Sequence, residues 1–490
     1  MPELTKIQTG FIESQGPFHI EDGTTAAPGI AFEGDTDTGL TRSADGEVSV
    51  VSNATTRFKT NTNSLHVDFD HPVIQPTLNF DFANTKTLDS RINFRRDSIA
   101  TYVGTDGLIK TAGVGEPRFD HDPLTGESLG LLIERTRTNI VRSDPSSTGW
   151  TNDGNITRTA NTSDTKAPDG TYTATKLTSS TGSGTYSQIY ASLSQSSGGV
   201  QSLWAKKGTH TVIAIYDFSG GGGIRAWFDL NTGEHRCEGG SKVAAGVQSD
   251  GNDNNNTTME QYPDGWYRCI YYESSNMTYA HFRIVDFDSD TKSSSTTADS
   301  LYVWGIQAEV GVTYVTSFIP SVGGGTVRES EAVTMYDSNI SSWFNESGGT
   351  LTFDFNPKLR VPSVDGTRLF KLDSTSITGD TRIDYVVSTS GSYQPYLAYG
   401  GTAYYGSPSS IGFTKNTEFK IALTIKENDI VGYINGSQSL NDTTMPMFLP
   451  NRFFIGSNGP GGGSALDGYI RNMKYYSRRL SNDYLSYITS

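Results

Sequence analysis

Alternation of apolar and polar residues is clearest in the C-terminal third of the chain. In EFKIALTI, Phe419, Ile421, Leu423 and Ile425 share one side of an extended segment, with Lys420 and Thr424 on the other. Leu351, Phe353 and Phe355 repeat the spacing in GGTLTFDFNP. A period of two marks a half-buried strand, so both stretches predict strands lying on a core. Val212, Ala214 and Tyr216 alternate in the same way, and a later strand carries Trp227 and Asp229 into an Asn-Thr-Gly-Glu turn. Ala100–Val103 and Leu108–Thr111 flank Gly104-Thr105-Asp106-Gly107, while IVGYINGSQ centres on Asn435-Gly436. Both predict hairpins, because Asn, Asp and Gly accept the backbone angles of a tight turn. Leu129, Leu131 and Leu132 begin another strand-like run. Helix-forming stretches are almost absent; Ser481 is placed to cap a short one near the C-terminus. The fold class read from this pattern is all-β.

Residues 1–76 depart from it. PGIAFEGDTDTGLTRSADGEVSVVSNATTRF, Pro28 to Phe58, is full of hairpin signals but holds only scattered apolar residues such as Val48, Val50 and Val51. A lone segment so poor in core residues would be disordered. Its turns argue instead for burial against other copies of the same chain.

Composition sharpens the picture. The 490 residues include 53 Gly, 25 Tyr and 23 Phe, with only 34% hydrophobic and 19% charged. That length suits about two to four domains. The formal net charge of -15 repels phosphate backbones and anionic lipid, which argues against nucleic-acid binding. No apolar run is long enough for membrane insertion, and no secretory signal is read at the N-terminus, so synthesis in a cytoplasm is expected. Cys237 and Cys269 make no disulfide framework and are expected to stay reduced.

Several phrases resemble bacteriophage fibre proteins. PGIAFEGDTDTGL followed by NATTRF is similar to a segment common in tail fibres. The run from Leu78 to Val141, LNFDFANTKTLDSRINFRRDSIATYVGTDGLIKTAGVGEPRFDHDPLTGESLGLLIERTRTNIV, resembles a connector of phage fibres and head spikes. TGWTNDGNITRTAN, APDGTYTATKLTSS, DGWYRCIYY and LYVWGIQAEVGVTYVTSFIPS together look like a carbohydrate-binding-module-like jelly roll. RFFIGSNGPGGGSALDGYIRNMKYYSRRLSNDYLSYITS resembles the end of a concanavalin/laminin-G-like sandwich. The resemblance implies an elongated modular fibre: an N-terminal virion-attachment or trimeric shaft segment (1–76), a β connector (77–143), a jelly roll (144–322) and a second sandwich (323–490). Gly323–Thr326 reads as a flexible boundary, and Ser249–Thr258 as a solvated loop. It further implies a homotrimer on a virion, bound to other virion proteins through its N-terminal segment. A tail fibre meeting a host-surface glycan or other receptor comes first. A capsid-anchored head fibre or spike is the alternative, and a polysaccharide-degrading tailspike ranks below both.

Catalytic chemistry is not apparent. The seven histidines show no paired-ligand spacing, and no metal or cofactor is expected. Asp120-His121-Asp122 reads as a polar turn before Pro123 and Gly126, with a cation site as the alternative. No G-x-S-x-G elbow occurs, and neither Glu427 with Asp429 nor Glu329 with Glu331 offers a convincing glycosidase pair. The four glycines at 220–223 lack the lysine of a phosphate loop. Aromatic residues remain. Tyr396, Tyr399, Tyr404 and Tyr405 stand beside glycine turns, where tyrosine rings could stack on sugars; core or trimer packing is the competing role. Trp204, Trp227, Trp266 and Trp304 read as core, and Trp150 and Trp343 as interdomain packing.

Overall fold

Antiparallel pairing between strands accounts for nearly all of the regular structure. The computed structural model describes residues 20–490 except 43, 62–63, 68–74, 181–186, 194, 196, 218–222, 239–241, 245–255, 274–275, 290–297, 313, 358–366, 388–392, 405–416 and 463. The chain divides into two units, one up to Gln75 and one from Pro76.

In the first unit, Ile30–Phe32, Asp35–Thr41, Val48–Ser52, Thr55–Asn61 and Ser64–Val67 form one antiparallel sheet in sequence order. Asn53 and Ala54, with φ of 50° and 55°, make the two-residue turn between the third and fourth strands. Gly39 is required where strands cross closely: a Cβ there would lie 1.8 Å from the Ile30 carbonyl oxygen. Register places Ile30 opposite Leu40, Leu40 opposite Val50 and Val50 opposite Phe58. Ile30, Leu40 and Val50 are 47%, 39% and 38% exposed, whereas Ser49 and Val51 are buried. An apolar row therefore crosses four strands on the open face.

The second unit holds two β-sandwiches, as the alternation predicts. In the middle sandwich, the first sheet runs Thr151–Gly154, Ser187–Ser192, Tyr279–Ile284, Val212–Asp217, Gly223–Asp229, His235–Cys237. The second runs Ile156–Thr159, Thr175–Ser179, Asp299–Val310, Gly199–Lys207, Trp266–Glu273, Thr257–Gln261. Leu203, Ile213, Ile215, Phe228, Cys269 and Phe282 are among the side chains that fill the space between them. The C-terminal sandwich packs a sheet containing Gly349–Pro357, Phe419–Ile425 and Gly468–Tyr476 against one containing Thr367–Asp373, Arg382–Val387 and Arg452–Ile455. Leu351, Phe353, Phe355, Phe419, Ile421, Leu423 and Ile425 all face that core. Asn435 and Gly436 make the expected hairpin turn, with φ of 45° and 77°. Ser481 caps the helix Asn482–Thr489, accepting the Tyr484 N–H at 3.3 Å.

Three local expectations change. The stretch 77–143 is shared out among larger sheets rather than standing as a connector. Leu78–Asp81 and Ser128–Ile133 both pair with Gly468–Tyr476, and Asn93–Arg95 pairs with Ala332–Tyr336. Such pairing joins residues hundreds of positions apart and leaves no trace in local spacing. Within the boundary expected to flex, Gly324 and Gly325 are anchored: Gly324 N–H donates to Ser321 Oγ at 3.0 Å and Gly325 N–H to Asn139 O at 2.9 Å. Trp150 and Trp343 each belong to the core of their own sandwich. The other four tryptophans are buried, but on the outer faces of the two sheets of the middle sandwich rather than in the core between them. Of the loop expected at Ser249–Thr258, residues 249–255 lie outside the described residues, and Thr257 and Thr258 begin a strand.

A buried charge network fastens this region. Arg118 Nη2 lies 2.6 Å from Glu331 and its Nη1 2.9 Å from Glu134; Arg96 reaches Glu331 at 3.2 Å, and Arg328 pairs with Glu134. Burial pulls the Arg118 guanidinium down, but Glu331 and Glu134 outweigh it and hold it above its ordinary value. Charges removed from water this completely are tolerable because each is paired and hydrogen-bonded.

Candidate functional site

Alternation within the first sheet of the middle sandwich sorts its side chains. Ile189, Ile213, Ile215, Ala226, Phe228, Ala280 and Phe282 point to the core, so their neighbours occupy the opposite face. Across that face, strand register sets out one continuous row: Asp153, Gln188, Arg283, Ala214, Trp227, Arg236. Gln188 Nε2 donates to Asp153, and Arg283 Nε donates to Gln188 Oε1 at 2.7 Å. The Arg283 guanidinium lies 4.0 Å from the centre of the Tyr216 ring, and Arg236 lies 4.9 Å from that of Trp227. Ala214 contributes only a methyl group between Arg283 and Trp227.

A second group stands beside the row. Tyr190 and His281 are register partners with ring centres 4.8 Å apart, and Tyr279 lies 5.8 Å from Tyr190 and 5.7 Å from His281. Tyr216 is 5.3 Å from His281. The three tyrosines are half-buried around a buried His281 and Arg283. Half-buried rings offer apolar faces and their phenols supply hydrogen bonds, held in place by the buried Gln188–Arg283 pair beneath them, a combination suited to a polyhydroxylated ligand.

The tyrosines singled out in the C-terminal sandwich are divided. Tyr399 and Tyr404 pack against the core. Tyr396 is on the other face, opposite Asp384, with the Arg382 guanidinium 4.3 Å from its ring centre. Tyr405 lies outside the described residues. The structure thus gives Tyr396, Tyr399 and Tyr404 no common face. The aromatic face of the middle sandwich lies outside the residues that the turn and glycine pattern points to, although TYAHFRI contains its signal: Tyr279, His281 and Arg283 alternate with Ala280, Phe282 and Ile284.

Asp120 and His121 are strand residues rather than part of a polar turn. Both are buried in Phe119–His121, where Asp120 Oδ2 accepts the Tyr469 hydroxyl at 2.9 Å and His121 Nδ1 lies 2.9 Å from Val103 O. Only Asp122 turns the chain, accepting the Leu124 and Thr125 N–H groups. Among the described residues, no cluster of His, Cys, Asp and Glu has the arrangement of a metal site, and no helix is long and apolar enough to cross a membrane. Cys237 and Cys269 are buried and form no disulfide with each other, and burial pushes the Cys269 thiol up. Of the glycines at 220–223, residues 220–222 lie outside the described residues.

No protein-family model and no curated protein matches the sequence. Among solved structures, the chain is similar to the CBM40 of the Ruminococcus gnavus IT-sialidase bound to α2,3-sialyllactose, at 16% identity over 32% of this chain and 91% of that one, with a TM-score of 0.26. It is also similar to domain 4 of AbnA, a GH43 extracellular arabinanase from Geobacillus stearothermophilus in complex with arabinotriose (14% identity, 36% and 82% coverage, TM-score 0.27). A third is a heptameric SAP-like pentraxin from Limulus polyphemus (15% identity, 29% and 70% coverage, TM-score 0.23).

Proposed function

We propose that the chain is the subunit of a homotrimeric bacteriophage tail fibre that adheres to saccharides on the bacterial host surface. The observation that carries the saccharide reading is the aromatic and basic face of the middle sandwich, with Tyr190, Tyr216 and Tyr279 around Arg283 and His281. Sugar C–H faces stack on such rings while their hydroxyls bond the polar groups between them. The phage-fibre phrases at 28–58 and 78–141 support the virion location. The exposed apolar row of the N-terminal sheet supports self-assembly, since a contiguous apolar surface of this kind marks an interaction site. Binding without cleavage is the reading that suits the acids: Glu331 is held by Arg96 and Arg118, and Asp429 by Arg479 at 3.1 Å.

The test is binding of the full chain to an array of bacterial surface glycans. The double variant Tyr190→Ala/Tyr279→Ala is expected to lose most of the signal with a nearly unchanged Tm, because both side chains are half-exposed. Parent-like binding by a folded double variant would remove this face from consideration.

A further inference from the structure

A cavity of about 460 Å³ opens on the other side of the middle sandwich, where its second sheet approaches the strand Phe119–His121 and the turn after it. Trp204, Glu260, Tyr262 and Arg268 line it from the middle sandwich, Asp122 from the turn and Asn356 from the C-terminal sandwich. The volume falls within the range of small-ligand sites.

Its walls hold polar groups with nothing to bond. Arg268 is buried, its guanidinium 4.4 Å from the centre of the Trp204 ring, and its Nη2 donates to Ser202 Oγ at 3.3 Å. Among the described residues, Arg268 Nε–H, Trp204 Nε1–H and Asn356 Oδ1 have no hydrogen-bond partner. Four other indoles, those of Trp150, Trp227, Trp266 and Trp304, each donate a hydrogen bond. Trp343 does not, but it sits in the C-terminal core, away from this cavity. Unpaired buried donors are costly to maintain. Two of them on one cavity wall call for an acceptor supplied from outside the chain.

We propose that this cavity binds a neutral mono- or disaccharide, whose oxygens accept from Trp204 Nε1–H and Arg268 Nε–H and whose hydroxyls donate to Asn356 Oδ1 and Glu260. Asp120, Asp122 and Glu260 line the cavity against the single guanidinium of Arg268 among its lining residues, so an anionic ligand is disfavoured. Burial, followed by the charges of Glu260 and Asp120, raises the Tyr262 phenol above its ordinary value, so it stays protonated and able to donate. The inference shares the saccharide reading above but concerns a separate place in the fold.

Saturation-transfer NMR on the full chain tests it, with maltose and lactose at about 10 mM as probes and N-acetylneuraminic acid as the anionic comparison. At least one neutral disaccharide is expected to bind. Glu260→Gln exchanges a charged acceptor for a neutral amide and Trp204→Phe removes the indole N–H together with part of the ring, and each should weaken binding roughly tenfold. Measured in the Tyr190→Ala/Tyr279→Ala background, which removes the aromatic face, disaccharide binding should persist and remain sensitive to Glu260→Gln, which separates the cavity from that face. Should Trp204→Phe fail to fold, the half-exposed Glu260→Gln decides alone. No binding of either disaccharide, binding of the anion only, or parent-like binding by the cavity variants would overturn the proposal and leave the cavity to water.

Discussion

Asp354 lies mid-strand in Gly349–Pro357, where burial raises its carboxyl above the usual value and the charge of Glu418 adds to the rise. A folded-state value above the unfolded one means that the folded chain binds the proton more tightly. The stability this group contributes is therefore present in acid and lost as pH rises through the folded value. At neutral pH the ionised carboxylate is a net cost. Asp354→Asn should raise the Tm at pH 7, and the gain should disappear below about pH 3, where the parent carboxyl is protonated in both states. Melting curves at the two pH values check this; a lower Tm for the variant at pH 7 would count against it. Such detail is hidden in the sequence because burial belongs to the tertiary structure. Asp120-His121-Asp122 illustrates the same limit: three polar residues before a proline look like a loop, yet the first two are buried strand residues held by Val103 and Tyr469.

At the scale of elements, the sequence is far more informative. Period-two runs such as Phe419–Ile425 and turn residues such as Asn435-Gly436 act locally, so strands, hairpins and the Ser481 cap could be read directly. Pairing between distant strands could not, and it hid how residues 77–143 are used. It also concealed which side of Tyr393–Tyr399 each tyrosine takes, since that depends on the sheet lying beneath. One consequence is measurable. A fragment of residues 323–490 lacks Leu78–Asp81, Phe119–His121 and Ser128–Ile133 from one sheet and Asn93–Arg95 from the other. It should show no cooperative thermal transition, whereas residues 76–490 should melt cooperatively. Circular dichroism distinguishes the two, and a sharp transition in the short fragment would contradict the shared-sheet arrangement.

For the whole molecule, the exposed row of Ile30, Leu40 and Val50 bears on assembly. Light scattering of the full chain at micromolar concentration should return a trimer mass, and Leu40→Asp/Val50→Asp should shift it towards the monomer while the second unit keeps its melting transition. A monomer mass for the parent chain would refute the oligomer. The position of Gly468–Tyr476 carries a different implication, one about manufacture. This strand leaves the ribosome long after Leu78–Asp81, Ser128–Ile133 and Gly349–Pro357, yet it hydrogen-bonds to all three. Until it emerges, those earlier strands have exposed edges and an open core, the condition in which nascent chains aggregate. A chain ending before Gly468 would lack the strand on which all three depend and could not close its sandwich.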